Sequence, residues 1–228
     1  MSSRWSTDAK APLLVLAPKC ATTASIKFLN TCAAGVLHPN QSLCAANYCK
    51  DATTIVHRDD ISHVHNVPPV GIRTYGVLRH PVERFISFVN FRLSKGNNPG
   101  PDWRRLKLPF DDDSTGKRTS VENAIDAIPD ANMTSFAPFR TLTEYFSNTT
   151  HLLCSTDEFR AYVQSKLGFR RCNPLKLTAN YSRANASPRT RGEPRPDQLQ
   201  RIARVLSDDM RLWERACGER HRVRVKWL

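Results

Sequence analysis

Residues 12–29 read PLLVLAPKCATTASIKFL, and the change of character along this stretch decides the fold. Its first part, Pro12–Ala17, is an unbroken apolar run without alternation. Such a run suits a strand covered on both faces, the situation of a buried parallel sheet. A polar turn, Pro18-Lys-Cys-Ala-Thr-Thr, follows at once. Beyond it Ile26, Leu29, Ala33 and Val36 recur at helical spacing. The opening therefore predicts strand, loop, helix.

The same logic returns downstream. Ile72–Leu78 (IRTYGVL) predicts a strand that runs straight into Arg79-His-Pro-Val-Glu-Arg-Phe-Ile-Ser. Pro81 suits the first turn of a helix, where a missing N–H costs nothing. Val82, Phe85, Ile86, Val89 and Leu93 then share one face. Between the two units, Thr53–His57 (TTIVH) is rich in β-branched residues and predicts another strand.

Further along, Lys95–Arg118 is rich in Gly, Pro, Asp and Lys and reads as a long surface loop able to touch substrate. Thr119-x-x-Glu122 reads as a capping box opening a short helix to Ile128. Thr141–Phe146 predicts another short helix and His151–Cys154 a short strand. Thr156–Leu167 predicts a helix stopped by Gly168. Residues 178–196 are polar loop. A last helix spans Asp197–Ala216, with Leu199, Ile202, Ala203, Leu206, Met210 and Trp213 as its core stripe. Val223–Leu228 is an edge strand or a frayed tail, and residues 1–10 are expected to be disordered. Alternating strands and helices predict one domain over residues 1–228. Its class is three-layer α/β, P-loop-like, with a central, mainly parallel sheet flanked by helices. In such folds ligands sit beyond the carboxyl ends of the strands.

Composition bounds the partners. The chain has 228 residues, 40% of them hydrophobic and 24% charged, which supports a packed core and excludes global disorder. A net charge of +13 favours polyanions: nucleic acid, anionic lipid, nucleotide phosphates or sulfated sugars. The densest basic groups are Trp103–Lys107, Arg183–Arg195 and Arg220–Lys226, although charge spread over an enzyme surface also serves solubility alone. Seven cysteines, an odd number without a C-x-x-C pair, predict buried free thiols in a reducing compartment. Against that, Asn40-Gln-Ser, Asn132-Met-Thr, Asn148-Thr-Thr, Asn180-Tyr-Ser and Asn185-Ala-Ser all read as N-glycosylation acceptors. No segment approaches the ~18 consecutive apolar residues of a membrane helix. Pro12–Ala17 is too short and too early for a signal-peptide core. The expectation is a cytoplasmic or otherwise soluble chain, or a Golgi-lumenal one if an anchor precedes it.

The two polar turns carry the chemistry. In the first, free N–H groups at a helix start and the hydroxyls of Thr22, Thr23 and Ser25 suit a phosphate, and Lys19 can neutralise a leaving oxygen. The loop lacks any glycine, so it is not the G-x-x-x-x-G-K-[ST] pattern of ATP and GTP enzymes. Taken alone, it could equally be a capped helix beside an exposed lysine. The second turn offers Arg79, whose guanidinium can clamp a phosphate in bidentate fashion, and Ser87 as a further donor. Glu83 and Arg84 read as an ordinary surface pair on the helix.

Together, PLLVLAPKCATTASIKFL and YGVLRHPVERFISFVNF resemble the two signature blocks of the PAPS-dependent sulfotransferases. The likeness is closest to the Golgi-type carbohydrate enzymes and their short relatives. The first block resembles their phosphate–sulfate loop. The second resembles their 3′-phosphate element, an arginine at a strand end with a serine eight positions later. His80 departs from the acidic or amide residue common there. A fainter likeness runs through HLLCSTDEF, Asn185-Ala-Ser and the last helix. The resemblance implies that Pro18, Lys19, Cys20, Ala21, Thr22, Thr23, Ala24 and Ser25 line the donor site. Lys19 would act on the bridging oxygen, and Thr22, Thr23 and Ser25 on the 5′-phosphate. Arg79 and Ser87 would hold the 3′-phosphate, with Asn185 and Ser187 nearby. The co-substrate implied is PAPS, and the acceptor is a glycan or small hydroxylated molecule.

A base must take the acceptor's proton, and histidine suits neutral pH. His57, at a predicted strand end, is the first candidate. His63 and His65 follow, with Asp59 or Asp60 as orienting or replacement groups. The H-x-H spacing of His63 and His65 could begin a zinc site, but no third ligand of suitable spacing follows, so no metal is expected. Two other classes compete: a P-loop-like nucleotide or sugar kinase, which wants the missing Walker glycines, and a basic, non-catalytic nucleic-acid-binding protein. The latter wants a zinc finger, an RNP motif or a basic helix, none of which is present.

Overall fold

The computed structural model describes residues 13–17, 20, 55–58, 74–94, 101–112, 114–134, 141–146, 151–155, 157–159, 161–162 and 192–218. In chain order its elements are β1 (Leu13–Leu16), β2 (Ile55–Arg58), β3 (Thr74–Val77), α1 (Pro81–Leu93), α2 (Pro101–Arg105), α3 (Val121–Ala127), α4 (Asp130–Met133), α5 (Leu142–Phe146), β4 (His151–Leu153), α6 (Pro196–Val205) and α7 (Ser207–Cys217). Where one domain was expected, the contacts divide the chain into two compact units. The first comprises Met1–Arg79 with Leu142–Asn185, the second His80–Thr141 with Ala186–Leu228. The start 1–10, the helix expected after the first turn, Gly168, residues 178–191 of the polar loop and the tail Val223–Leu228 lie outside the described residues.

The first unit holds a four-stranded sheet in the order β2-β1-β3-β4, with every neighbouring pair parallel. The apolar run of the opening forms β1, and β1 has a partner on each side. Its backbone N–H and C=O groups are thus engaged along both edges, as an interior strand requires. Leu13 pairs with Ile55 and with Thr74, and Leu14 with Val56 and Tyr75. On the far side Tyr75 pairs with His151, and their rings stack with centroids 4.8 Å apart. Tyr162, within the helical residues 161–162, meets the same Tyr75 ring at 4.4 Å.

Successive strand residues point to opposite faces, so Gly76 looks the other way from Tyr75. There the ring of Phe146, on α5, lies directly on the backbone. A Cβ at Gly76 would come 2.6 Å from Phe146 Cδ1, closer than any side chain tolerates. Glycine sits mid-strand here because a ring occupies the place of its side chain. Helical residues therefore pack against both faces of β3.

The second unit is helical. Pro81 opens α1 as expected, and the Arg84 N–H reaches the His80 carbonyl at 2.9 Å. Phe85, Phe88 and Val89 of α1 join Trp103, Ile125 and Ile202 in one buried cluster. Each such side chain contributes about 1.5–3 kcal/mol on full burial.

Four expectations are corrected here. First, Arg84 is no surface residue. It is wholly buried, 3.9 Å from the buried carboxylate of Asp209 on α7. It lies three residues after Pro81 and four before Phe88, so helical spacing puts it on the core face. Second, residues 101–118 are not merely surface loop. They contain α2, whose Trp103 is 1% exposed and donates its Nε1–H to the Pro109 carbonyl at 3.0 Å. Lys107, with φ 51°, turns the chain out of α2 through the left-handed region. A bridge between Asp112 and Lys117 then closes a turn in which the Asp112 carboxylate accepts from the hydroxyls of Ser114 and Thr115. These bonds hold its carboxyl below the usual range. Third, the cap of α3 is Ser120, whose hydroxyl accepts the Asn123 N–H at 3.1 Å. Thr119 instead donates its N–H to the buried Asp111 at 2.9 Å. Fourth, the last helix is two helices, broken at Leu206 (φ −94°, ψ 28°).

The start of α6 is pinned to α3 by a polar network. Arg195 clamps Asp126 through two nitrogens, both at 3.1 Å, and Gln198 donates to the same carboxylate at 2.7 Å. Arg201 donates to the carbonyls of Ile125 and Ile128 at the C-terminal end of α3, where the Ile125 carbonyl also accepts the Ile128 N–H. Hydrogen bonds from Arg195, then Gln198, hold the Asp126 carboxyl below the usual carboxylate range. A depressed folded-state pKa means this stability is present above the unfolded value, about 4, and is lost as pH falls through the folded value. Asp126→Asn is therefore expected to melt below the parent protein at pH 7. The gap should close as the pH is lowered from about 4. Thermal melts at pH 7, 4 and 3 check this. A gap that stayed constant with pH would remove the linkage.

Cys20 is a buried thiol outside any disulfide, but Cys154 and Cys217 are disulfide-bonded. That departs from the all-thiol expectation. The remaining cysteines lie outside the described residues. Among the described residues no helix is long and apolar enough to cross a membrane.

Candidate functional site

Parallel strands share a direction, so whatever follows each one emerges at the same edge of the sheet. The register makes this edge level. Leu16, the last residue of β1, pairs with Arg58, the last of β2, and Val15 pairs with Gly76, one residue before the end of β3. Adjacent strands lie about 4.8 Å apart. The ends of β2 and β3, with β1 between them, are thus on the order of 10 Å apart.

At the end of β1 the chain turns immediately. The Cys20 N–H donates to the Ala17 carbonyl at 3.1 Å, and both residues are buried. The first polar turn thus starts from buried residues at the end of an interior strand. Beyond β3, the Leu78 N–H still bonds the Leu153 carbonyl of β4 at 2.7 Å, extending the ladder to the residue before Arg79. Arg79 is half-buried at this end. Its position follows from the local sequence: the ladder stops, Pro81 follows, and a helix starts.

Of the expected site residues, the sheet brings Cys20 and Arg79 to this edge, with His57 one residue inside it. His57 lies within β2, level with Val15, rather than at the strand end. Ser87 is half-buried on α1, in the second unit. Pro18, Lys19, Ala21, Thr22, Thr23, Ala24, Ser25, His63, His65, Asn185 and Ser187, with Asp59 and Asp60, lie outside the described residues.

Two features were missed. His80, the departure within the second block, is 7% exposed, and its ring meets Trp213 edge-on at 4.8 Å within the second unit. The end of β4 opens on the same sheet edge as the other strands. There the Ser155 hydroxyl accepts the Glu158 N–H at 3.0 Å, and the Glu158 carboxylate accepts the Cys154 N–H at 2.7 Å. The signal was legible: Ser155-Thr-Asp-Glu158 has the spacing of a capping box, one residue ahead of the expected helix start. Among the described residues no group of three or more His, Cys, Asp or Glu could hold a metal ion.

No family model, curated protein or solved structure matches this chain.

Proposed function

We propose that this chain is a PAPS-dependent sulfotransferase that transfers a sulfuryl group to a hydroxyl of a carbohydrate-like acceptor. The observation that carries the reading is the level carboxyl edge of three adjacent parallel strands. The chain beyond Leu16, the chain beyond Arg58 and Arg79 all leave the sheet at that edge. Packing of helical residues on both faces of β3 supports the three-layer, P-loop-like class that the reading requires.

The acceptor oxygen attacks sulfur in line, the bond from sulfur to the bridging phosphate oxygen breaks, and PAP departs. The acceptor's proton passes to a base, with His57 first choice and His63 or His65 behind it. Negative charge grows on the departing phosphate, where Lys19 acts. Thr22, Thr23 and Ser25 serve the 5′-phosphate, and Arg79 and Ser87 the 3′-phosphate. Asn185 and Ser187 complete the donor side. The reaction is mostly positioning plus electrostatics, as in phosphoryl transfer, and the group carries less charge than that of ATP. A lysine then suffices without a metal.

The test is incubation with radiolabelled PAPS and a panel of glycans and hydroxylated metabolites, alongside calorimetric titration with PAP. Arg79→Ala is expected to weaken PAP binding roughly 10- to 100-fold, the loss of a charge-assisted bond. Thermal stabilisation by ATP with magnesium but not by PAP would favour a kinase and overturn the reading.

A further inference from the structure

We infer that Asn132 carries an N-linked glycan and that the chain matures in an oxidising, secretory compartment. Two independent observations meet here. Cys154 and Cys217 are disulfide-bonded, and disulfides persist in secretory lumens but are rare in reducing cytosol. Asn132-Met133-Thr134 has the acceptor pattern that is read only in such a lumen.

The local geometry suits the modification. Asn132 lies in the one-turn helix α4, capped by Pro129. Its backbone is committed: the N–H donates to the Pro129 carbonyl at 2.9 Å, and its carbonyl accepts the Thr134 N–H. Its side chain, like that of Thr134, makes no hydrogen bond among the described residues. Met133 between them is wholly buried and anchors the turn, whereas Asn132 and Thr134 are both partly exposed and Asp130 and Ala131 are exposed. A bulky sugar at Asn132 therefore displaces no hydrogen bond made by the amide among the described residues. In the transfer, Asn132 Nδ2 bonds to the anomeric carbon of an oligosaccharide carried on a polyprenyl diphosphate. The carbon–oxygen bond to the diphosphate breaks, the polyprenyl diphosphate leaves, and the amide proton passes to the transferring enzyme's base. This inference does not depend on the catalytic reading.

Trypsin releases residues 119–140, in which Asn132 is the sole acceptor triplet. The full-length protein from its own cells, treated with peptide N-glycosidase in heavy-oxygen water, is expected to yield this peptide with labelled Asp in place of Asn132. Asn132→Gln and Thr134→Ala should each remove one glycan's worth of mass, and Thr134→Ser should retain it. Recovery of the peptide with unmodified Asn132 alone would overturn the inference. So would ready alkylation of Cys154 and Cys217 without reductant.

Discussion

On the proposed sulfotransferase reading, replacing Lys19 by alanine is expected to lower sulfuryl transfer by roughly 10²–10³-fold at saturating PAPS, with a much smaller change in PAP affinity. The split follows from when the charge appears. In bound donor, the oxygen bridging phosphate and sulfur carries little extra charge. As the bond to sulfur lengthens, charge accumulates on that oxygen, and a nearby ammonium is worth most at that moment. An interaction made mainly in the transition state shows in kcat rather than in ground-state binding. Arg79 is the contrasting case, since a fixed 3′-phosphate bears its charge throughout the reaction. Single-turnover transfer of labelled sulfate, with PAP titration beside it, separates the two roles. Equal losses of turnover and PAP affinity in Lys19→Ala would make Lys19 a binding residue. Unchanged turnover would remove it from the reaction.

Asp209→Ala is expected to destabilise the protein by about 3–5 kcal/mol, because it removes the buried carboxylate that faces the buried guanidinium of Arg84. Arg84 is 0% exposed and Asp209 1%, with 3.9 Å between their charged atoms. Water can replace neither partner at that depth, so removing one takes away an attraction that offsets the desolvation of the other. That magnitude is a large share of the 5–15 kcal/mol that holds an ordinary domain. Replacing both partners by apolar residues of similar volume, Arg84→Met with Asp209→Leu, should recover most of the loss, since the pair contributes more to specificity than to net stability. Urea titration of the parent, the single variant and the double variant measures this. A cost under about 1 kcal/mol for Asp209→Ala would place the carboxylate in solvent.

Much of the scaffold was readable one residue at a time. Leu13–Leu16, Thr74–Val77 and His151–Leu153 form strands inside the stretches expected to form them, Ile55–Arg58 overlaps its expected stretch and runs one residue past it, and Pro81 starts its helix as a first-turn proline should. These features depend on runs, branching and ring geometry within a few neighbouring residues. The misreadings share a different cause. Trp103 stands among Gly, Pro and Lys, so its neighbourhood resembles loop, yet the hollow beside Phe88 and Leu108 receives it. Arg84 was assigned outward for its charge, although its helical position pointed inward. Thr119 and Ser120 are both competent caps. The cap is Ser120, whereas the Thr119 hydroxyl is engaged with the Phe110 carbonyl at 3.1 Å. The Leu206 break has no proline or glycine to announce it. Of the candidate site, Arg79 at its strand end was legible, whereas His57 lies one residue deeper than expected.

Read alone, the 228 residues indicate most of the strand and helix segments, which turns are polar and which carry lysine, arginine and hydroxyls. Local sterics and periodicity suffice for that. Only the tertiary structure decided that β1 lies between β2 and β3, that their ends are level, and that Arg84 has Asp209 for a counter-charge. Those outcomes depend on which distant segments share a surface. Strand pairing and desolvation are properties of neighbours in space, and a linear chain does not carry them in any single stretch.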